Sequence, residues 1–144
     1  MAKKFEDRFS ELQSDMVSIC LEYVDNKADG IYIYCSCEEN ALYFNYFYNV
    51  NGITVHKHKL NDVASGYDTS IDVQRQVMKI GKDDLMAIYM LFKEAGREMP
   101  TEMKLVYDVK DNKLQADYNY EPVVANSKEM TQSNAFENWY QSIH

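Results

Sequence analysis

Proline and glycine are scarce in this chain, with two and five among 144 residues. That leaves little room for long linkers, so residues 1–144 read as a single domain large enough for a real core. Hydrophobic residues make up 46% and charged residues 26%, which excludes a disordered chain. Basic residues are the minority, 15 Lys and Arg against 23 Asp and Glu, for a net charge of -8. Nucleic-acid binding wants a basic patch, so this balance argues against a nucleic-acid partner. It permits a basic protein partner, because opposite fields steer encounter. Cysteine is limited to Cys20, Cys35 and Cys37. An odd count containing a Cys-x-Cys pair is a poor disulfide framework. No apolar run approaches membrane-spanning length, and no signal peptide precedes Phe5. A reduced cytoplasm, with no membrane partner, is the expectation.

What is abundant is periodicity. Phe5, Phe9, Leu12, Met16, Ile19 and Tyr23 step by four and three, which predicts an amphipathic helix from about Lys4 to Val24. A meander follows, with strands at Ile31 to Cys37, Ala41 to Tyr48 and Ile53 to Leu60. A four-residue turn at Asn49 to Gly52, containing Asn-Gly, joins the last two. The first two strands are apolar on both faces, one carrying Tyr32, Tyr34, Leu42, Phe44, Tyr46 and Tyr48, the other Ile33, Cys35, Cys37, Tyr43 and Phe47. Such strands are central and covered on both sides. Ile71 to Ile80 is ambiguous. Val73, Val77 and Ile80 suit a helix, but the β-branched content favours a strand, which is the reading adopted, with Gly81 as a break. Asp83 to about Arg97 is a helix with Asp83 and Asp84 in its first turn, Gly96 as C-cap and Pro100 beyond. A short last helix has Asn134 as its cap and Phe136, Trp139, Tyr140 and Ile143 on its apolar face.

Met103 to Glu121 reads as an amphipathic β-hairpin. A two-residue turn at Asp111-Asn112 sets Val109 opposite Leu114, Tyr107 opposite Ala116, Leu105 opposite Tyr118 and Met103 opposite Tyr120. That face is entirely apolar or aromatic. The other carries Lys104, Val106 and Asp108 against Asn119, Asp117 and Gln115. Side chains alternate along a strand, so one register sorts both strands into a buried face and a largely polar, acid-bearing face. The fold class expected is therefore α+β: an antiparallel sheet, meander plus C-terminal hairpin, with packed amphipathic helices.

Candidate chemistry is thin. Cys35, Cys37, His56 and His58 form a zinc ligand set on paper. The middle strand of the meander separates the two pairs by about 10 Å, far beyond convergence on one ion, so no metal is expected. Nucleophilic catalysis needs a nucleophile, a base and an orienting group. His56 or His58 could serve as base, but no Ser or Cys sits in a nucleophile-elbow context. No glycine-rich phosphate loop is present. Glu38-Glu39 and Asp83-Asp84 are adjacent pairs that do not face each other. The expectation is no catalytic residue, no cofactor and no enzyme.

Leu114-Gln115-Ala116-Asp117-Tyr118-Asn119-Tyr120-Glu121 resembles the YezG-type antitoxin and immunity family. The resemblance runs back through the helix at Asp83 to Arg97 and Glu98-Met99-Pro100-Thr101, and returns at Asn138-Trp139-Tyr140. The chain departs from the pattern at Asn61 to Ile80, which is longer, and in a shorter tail. The resemblance implies a cytoplasmic immunity protein that binds and blocks a secreted toxin, often a nuclease. A nuclease inhibitor must mask a cationic active site, for which surface carboxylates supply the field and aromatics supply rigid contact area. The candidate partner-binding residues are Asp108, Asp117, Asn119 and Glu121, with Trp139 as anchor. An ordinary solvated strand face would account for the four polar residues, and core packing would account for Trp139. The alternative function is an adaptor module whose partner is not a toxin.

Overall fold

The computed structural model describes residues 4–125 and 128–143. Helix α1 spans Phe5–Tyr23. Strands β1 (Gly30–Glu38), β2 (Ala41–Val50) and β3 (Ile53–His56) form the meander. A 3-10 turn at Lys57–Lys59 and a one-turn helix α2 (Leu60–Val63) lead to the long helix α3 (Ile71–Glu94). Strands β4 (Glu102–Asp108) and β5 (Lys113–Asn119) form the hairpin, and α4 (Gln132–Ile143) closes the described fold. All pairings are antiparallel, in the order β3-β2-β1-β4-β5, so the protein is α+β as its alternation and stripes predict.

The sheet has a core on each side. On one face, Ile31, Ile33, Cys35, Phe44, Tyr46, Tyr48, Met103 and Leu105 meet the stripes of α1 and α3. On the other, Tyr34 and Phe47 meet Ala135, Phe136 and Tyr140 of α4. This double cover is why β1 and β2 are apolar on both faces. The facing sets differ from expectation by one residue. Ile33 pairs with Tyr46 and Cys35 with Phe44, so Tyr32 and Tyr34 share a face with Tyr43 and Phe47. The cause is the turn. Glu39 and Asn40 both adopt positive φ, 52° and 65°, and make a two-residue connection where a longer one was expected. One residue of slip exchanges the faces of a strand. The β2–β3 turn is likewise only Asn51-Gly52, with φ of 55° and 82°. Strand β3 stops at His56 rather than reaching Leu60.

The hairpin register also differs, by two residues: Tyr107 pairs with Leu114, Leu105 with Ala116 and Met103 with Tyr118. The connection is four residues long, because the Asp108 carboxylate accepts the Asp111 N–H at 3.0 Å and Asn112 takes the left-handed conformation at φ 51°. An even slip leaves every side chain on its expected face, so the amphipathic reading stands.

Ile71 to Ile80 is helical, not a strand, and Gly81 does not interrupt it. Ser70 caps the helix by accepting the Val73 N–H at 3.4 Å. Gly81 is present for space: a Cβ there would lie 2.2 Å from the Phe44 ring. Asp83 and Asp84 are consequently mid-helix rather than in a first turn. The C-terminus ends as expected, with Gly96 at φ 65° and the Arg97 N–H returning to the Phe92 carbonyl at 3.0 Å. Helix α4 starts two residues ahead of the predicted cap, and Thr131 Oγ1 accepts the Asn134 N–H at 3.0 Å.

Candidate binding face

Helix α4 lies over β1 and β2, so the α4-side face of β4 and β5 stays open. Asp108, Lys113, Gln115 and Asp117 are exposed there, and Lys104, Val106 and Asn119 are partly so. Between this shelf and the helix runs a cleft of about 290 Å³, lined in part by Glu102, Lys104, Val123, Met130, Asn138 and Trp139.

The shelf is tied to the fold through a buried carboxylate. Glu102 is 7% exposed and accepts the Tyr34 hydroxyl at 2.5 Å and the Asn119 side-chain amide at 2.9 Å. Burial, then the bond to Glu102, pushes the Tyr34 phenol well above its ordinary range. Asn119 also accepts the Glu121 N–H at 3.0 Å, so both ends of its amide are used within the chain. Thr101 Oγ1 donates to the Glu121 carbonyl at 2.7 Å and fixes the strand exit. Trp139 is half-buried, with its ring centroid 5.2 Å from Phe47 and 5.9 Å from Tyr32, and Lys104 Nζ stands 5.8 Å over it. It therefore packs the α4 core with one side and walls the cleft with the other.

The structure thus brings Asp108, Asp117 and Asn119 onto one face, puts Glu121 at its exit and sets Trp139 across the cleft. The register also places Lys104 opposite Asp117 and Lys113 opposite Asp108, so the shelf is mixed in sign rather than uniformly acidic. Sequence reasoning missed Glu102 and Glu38. Glu38, 6% exposed, accepts the N–H groups of Val123, Val124 and Ala125 at 2.9, 3.0 and 3.3 Å. Three converging N–H donors form a nest for its carboxylate, and this anchors the chain leading to α4. Nothing in the Glu38-Glu39 pair distinguishes the buried member from the exposed one.

The cysteine–histidine set does not assemble. Cys35 Sγ sits on the α1 side, 3.8 Å from Met16 Sδ. His56 points to the α4 side, stacked at 3.8 Å on Tyr140 with Nε2 3.1 Å from Glu137 Oε1. His58 lies in the 3-10 turn, its ring 5.6 Å from His56. Among the described residues no group of three or more His, Cys, Asp or Glu could hold a metal ion. One unusual carboxyl pair lies elsewhere, between α1 and α3. Burial, followed by hydrogen bonding to Asp15 and its charge, pushes the Asp84 carboxyl up to about 8. Asp84 Oδ2 is itself buried with no hydrogen-bond partner among the described residues, which favours the protonated carboxyl over the carboxylate.

The chain matches no protein-family model and no curated protein. Among the described residues no helix is long and apolar enough to cross a membrane.

Proposed function

We propose that this protein neutralises a cognate protein toxin, such as a nuclease, in the cytoplasm of the producing cell by stoichiometric binding. The open β4–β5 shelf is the contact face. The observation that carries the reading is spatial: residues distant in sequence, Asp108 and Asp117 on the hairpin and Trp139 on α4, border one uncovered surface. Exposed carboxylates draw in a cationic partner, and a held aromatic edge offers contact area at small entropic cost. The resemblance at Leu114 to Glu121 includes the shelf residues Gln115, Asp117 and Asn119 and supports the same reading.

One observation favours a second reading. Lys104 and Lys113 stand in register with the two aspartates, which suits a partner of mixed charge and hence an adaptor module whose target is not a nuclease.

The test is a titration against the candidate toxin. Inhibition should saturate at a fixed ratio, and inhibition persisting far below equimolar amounts would indicate turnover and overturn the proposal. Asp117→Lys should leave the thermal melt nearly unchanged, since exposed substitutions shift stability by about 0.5 kcal/mol either way, and adding Asp108→Lys should cost a further ~1 kcal/mol because the Asp111 N–H loses its acceptor. The same pair should slow association, most at low salt. Unchanged association would place the interface elsewhere.

A further inference from the structure

The two edges of the sheet are treated differently. Strand β3 is four residues long, turns into a helical segment, and has its Thr54 carbonyl bonded by the Tyr140 hydroxyl at 3.2 Å. Strand β5 is seven residues long, contains no proline, and is exposed over most of its length. The direction of its free backbone groups follows from β4. The Val109 N–H donates to the Asp29 carbonyl at 3.0 Å, and the Thr101 carbonyl accepts from Cys37 N–H at 2.9 Å, both on the β1 side. Odd-numbered residues of β4 therefore face β1, and even-numbered residues face β5. Glu102, Lys104, Val106 and Asp108 pair with Asn119, Asp117, Gln115 and Lys113. The odd residues of β5 thus bond inward, and Leu114, Ala116 and Tyr118 turn their N–H and C=O groups outward. Leu114 and Tyr118 are also 38% and 40% exposed on the α1 side. An edge of this kind is a template for another strand.

We infer that β5 pairs antiparallel with β5 of a second copy of this chain, with Ala116 on the two-fold axis. This register opposes Leu114 to Tyr118 of the other copy, twice, and Ala116 to itself. All six outward backbone groups of each copy then find partners. The small Ala116 side chain meets its own image, and each exposed Leu114 gains an aromatic neighbour. On the other face Gln115 opposes Asp117 and Lys113 opposes Asn119; each Asp117 is diagonal to Lys113 and to Asp117 of the other copy, so no like charges stand directly opposite and a lysine flanks each carboxylate of the diagonal pair. A slip that centres on Asp117 would set two carboxylates face to face, and one that centres on Gln115 would leave Tyr118 outside the apolar pairing. A two-fold perpendicular to the sheet keeps both open shelves on the same side. The floor then runs β4-β5-β5-β4, roughly 14 Å between its outer strands, with an α4 helix as a wall at each end. This inference does not depend on the toxin-binding proposal.

Sedimentation across a micromolar-to-millimolar series should show a monomer–dimer equilibrium for the unmodified chain. Gln115 is exposed and opposes Asp117 of the second copy twice. Gln115→Lys should therefore tighten the dimer and Gln115→Asp loosen it, each by roughly threefold or more. Hydrogen exchange should slow at the Leu114, Ala116 and Tyr118 amides as concentration rises. A chain that stays monomeric throughout, charge variants that move the constant in the same direction, or amides that exchange equally fast at both ends of the series would each overturn the inference.

Discussion

Gly81→Ala is the sharpest perturbation of this fold. Gly81 is buried in the middle of α3, against the sheet. An added Cβ would stand 2.2, 2.3 and 2.6 Å from three carbons of the Phe44 ring. Carbon atoms pack at about 3.5–4.0 Å, so the ring must retreat by about 1.3 Å or the helix must lift. Phe44 is 0% exposed and wedged beside Tyr46, so the ring has nowhere to go. Overpacking costs about 1–3 kcal/mol. Replacing Gly by Ala in a helix returns about 1 kcal/mol of propensity. Taking the upper end, because the contact is so short and rigid, the net loss is about 2 kcal/mol. Urea unfolding should show a lower midpoint with an unchanged slope. Combining Gly81→Ala with Phe44→Leu should cost less than the sum of the two, because the smaller side chain vacates the contested space. A neutral or stabilising Gly81→Ala would refute the argument, since that is how a glycine facing solvent in a helix behaves.

Two further outcomes follow from buried carboxylates. Glu38→Gln should destabilise by about 1–3 kcal/mol, because an amide offers one acceptor where three N–H groups converge; quenching of Trp139 fluorescence during the melt should report early release of α4, and a melt identical to the parent would place the anchor elsewhere. Asp84→Asn tests the raised carboxyl. The folded chain holds a proton that the unfolded chain releases near its ordinary 3.8, so this stabilisation is complete below about pH 4, declines as pH rises, and levels off above about 8. The asparagine variant should therefore melt higher than the parent at pH 8, with the margin closing towards pH 4; parallel stability curves would show that Asp84 ionises normally.

The sequence by itself determined the fold class, the faces of the hairpin, the span of the first long helix and the C-terminal stop of the second. Each of these rests on a period: four-and-three stepping for α1 and for the later half of α3, and alternation for β4 and β5. Even the two-residue error in the hairpin register changed no face, because alternation repeats every two residues. The amphipathic pattern also marked the shelf that carries Asp108 and Asp117. What only the tertiary structure decided was where a local rule met a competing contact. The break expected at Gly81 dissolves because Phe44, far away in sequence, occupies the space a side chain would need, and the helix runs through the β-branched residues from its Ser70 cap with Val77 held in the core. The Glu39-Asn40 turn moved the meander by one residue and carried Tyr34 to the α4 face. Trp139 became half core and half cleft wall because α4 covers the central strands and leaves β4 and β5 bare. Glu38, Glu102 and Asn119 carry no periodic signal, since their roles come from N–H groups, a phenol and a carboxylate brought together by the fold. Periodicity reports which side of an element is buried; which residue waits on the other side is set by three-dimensional packing, and that is where the candidate site was made.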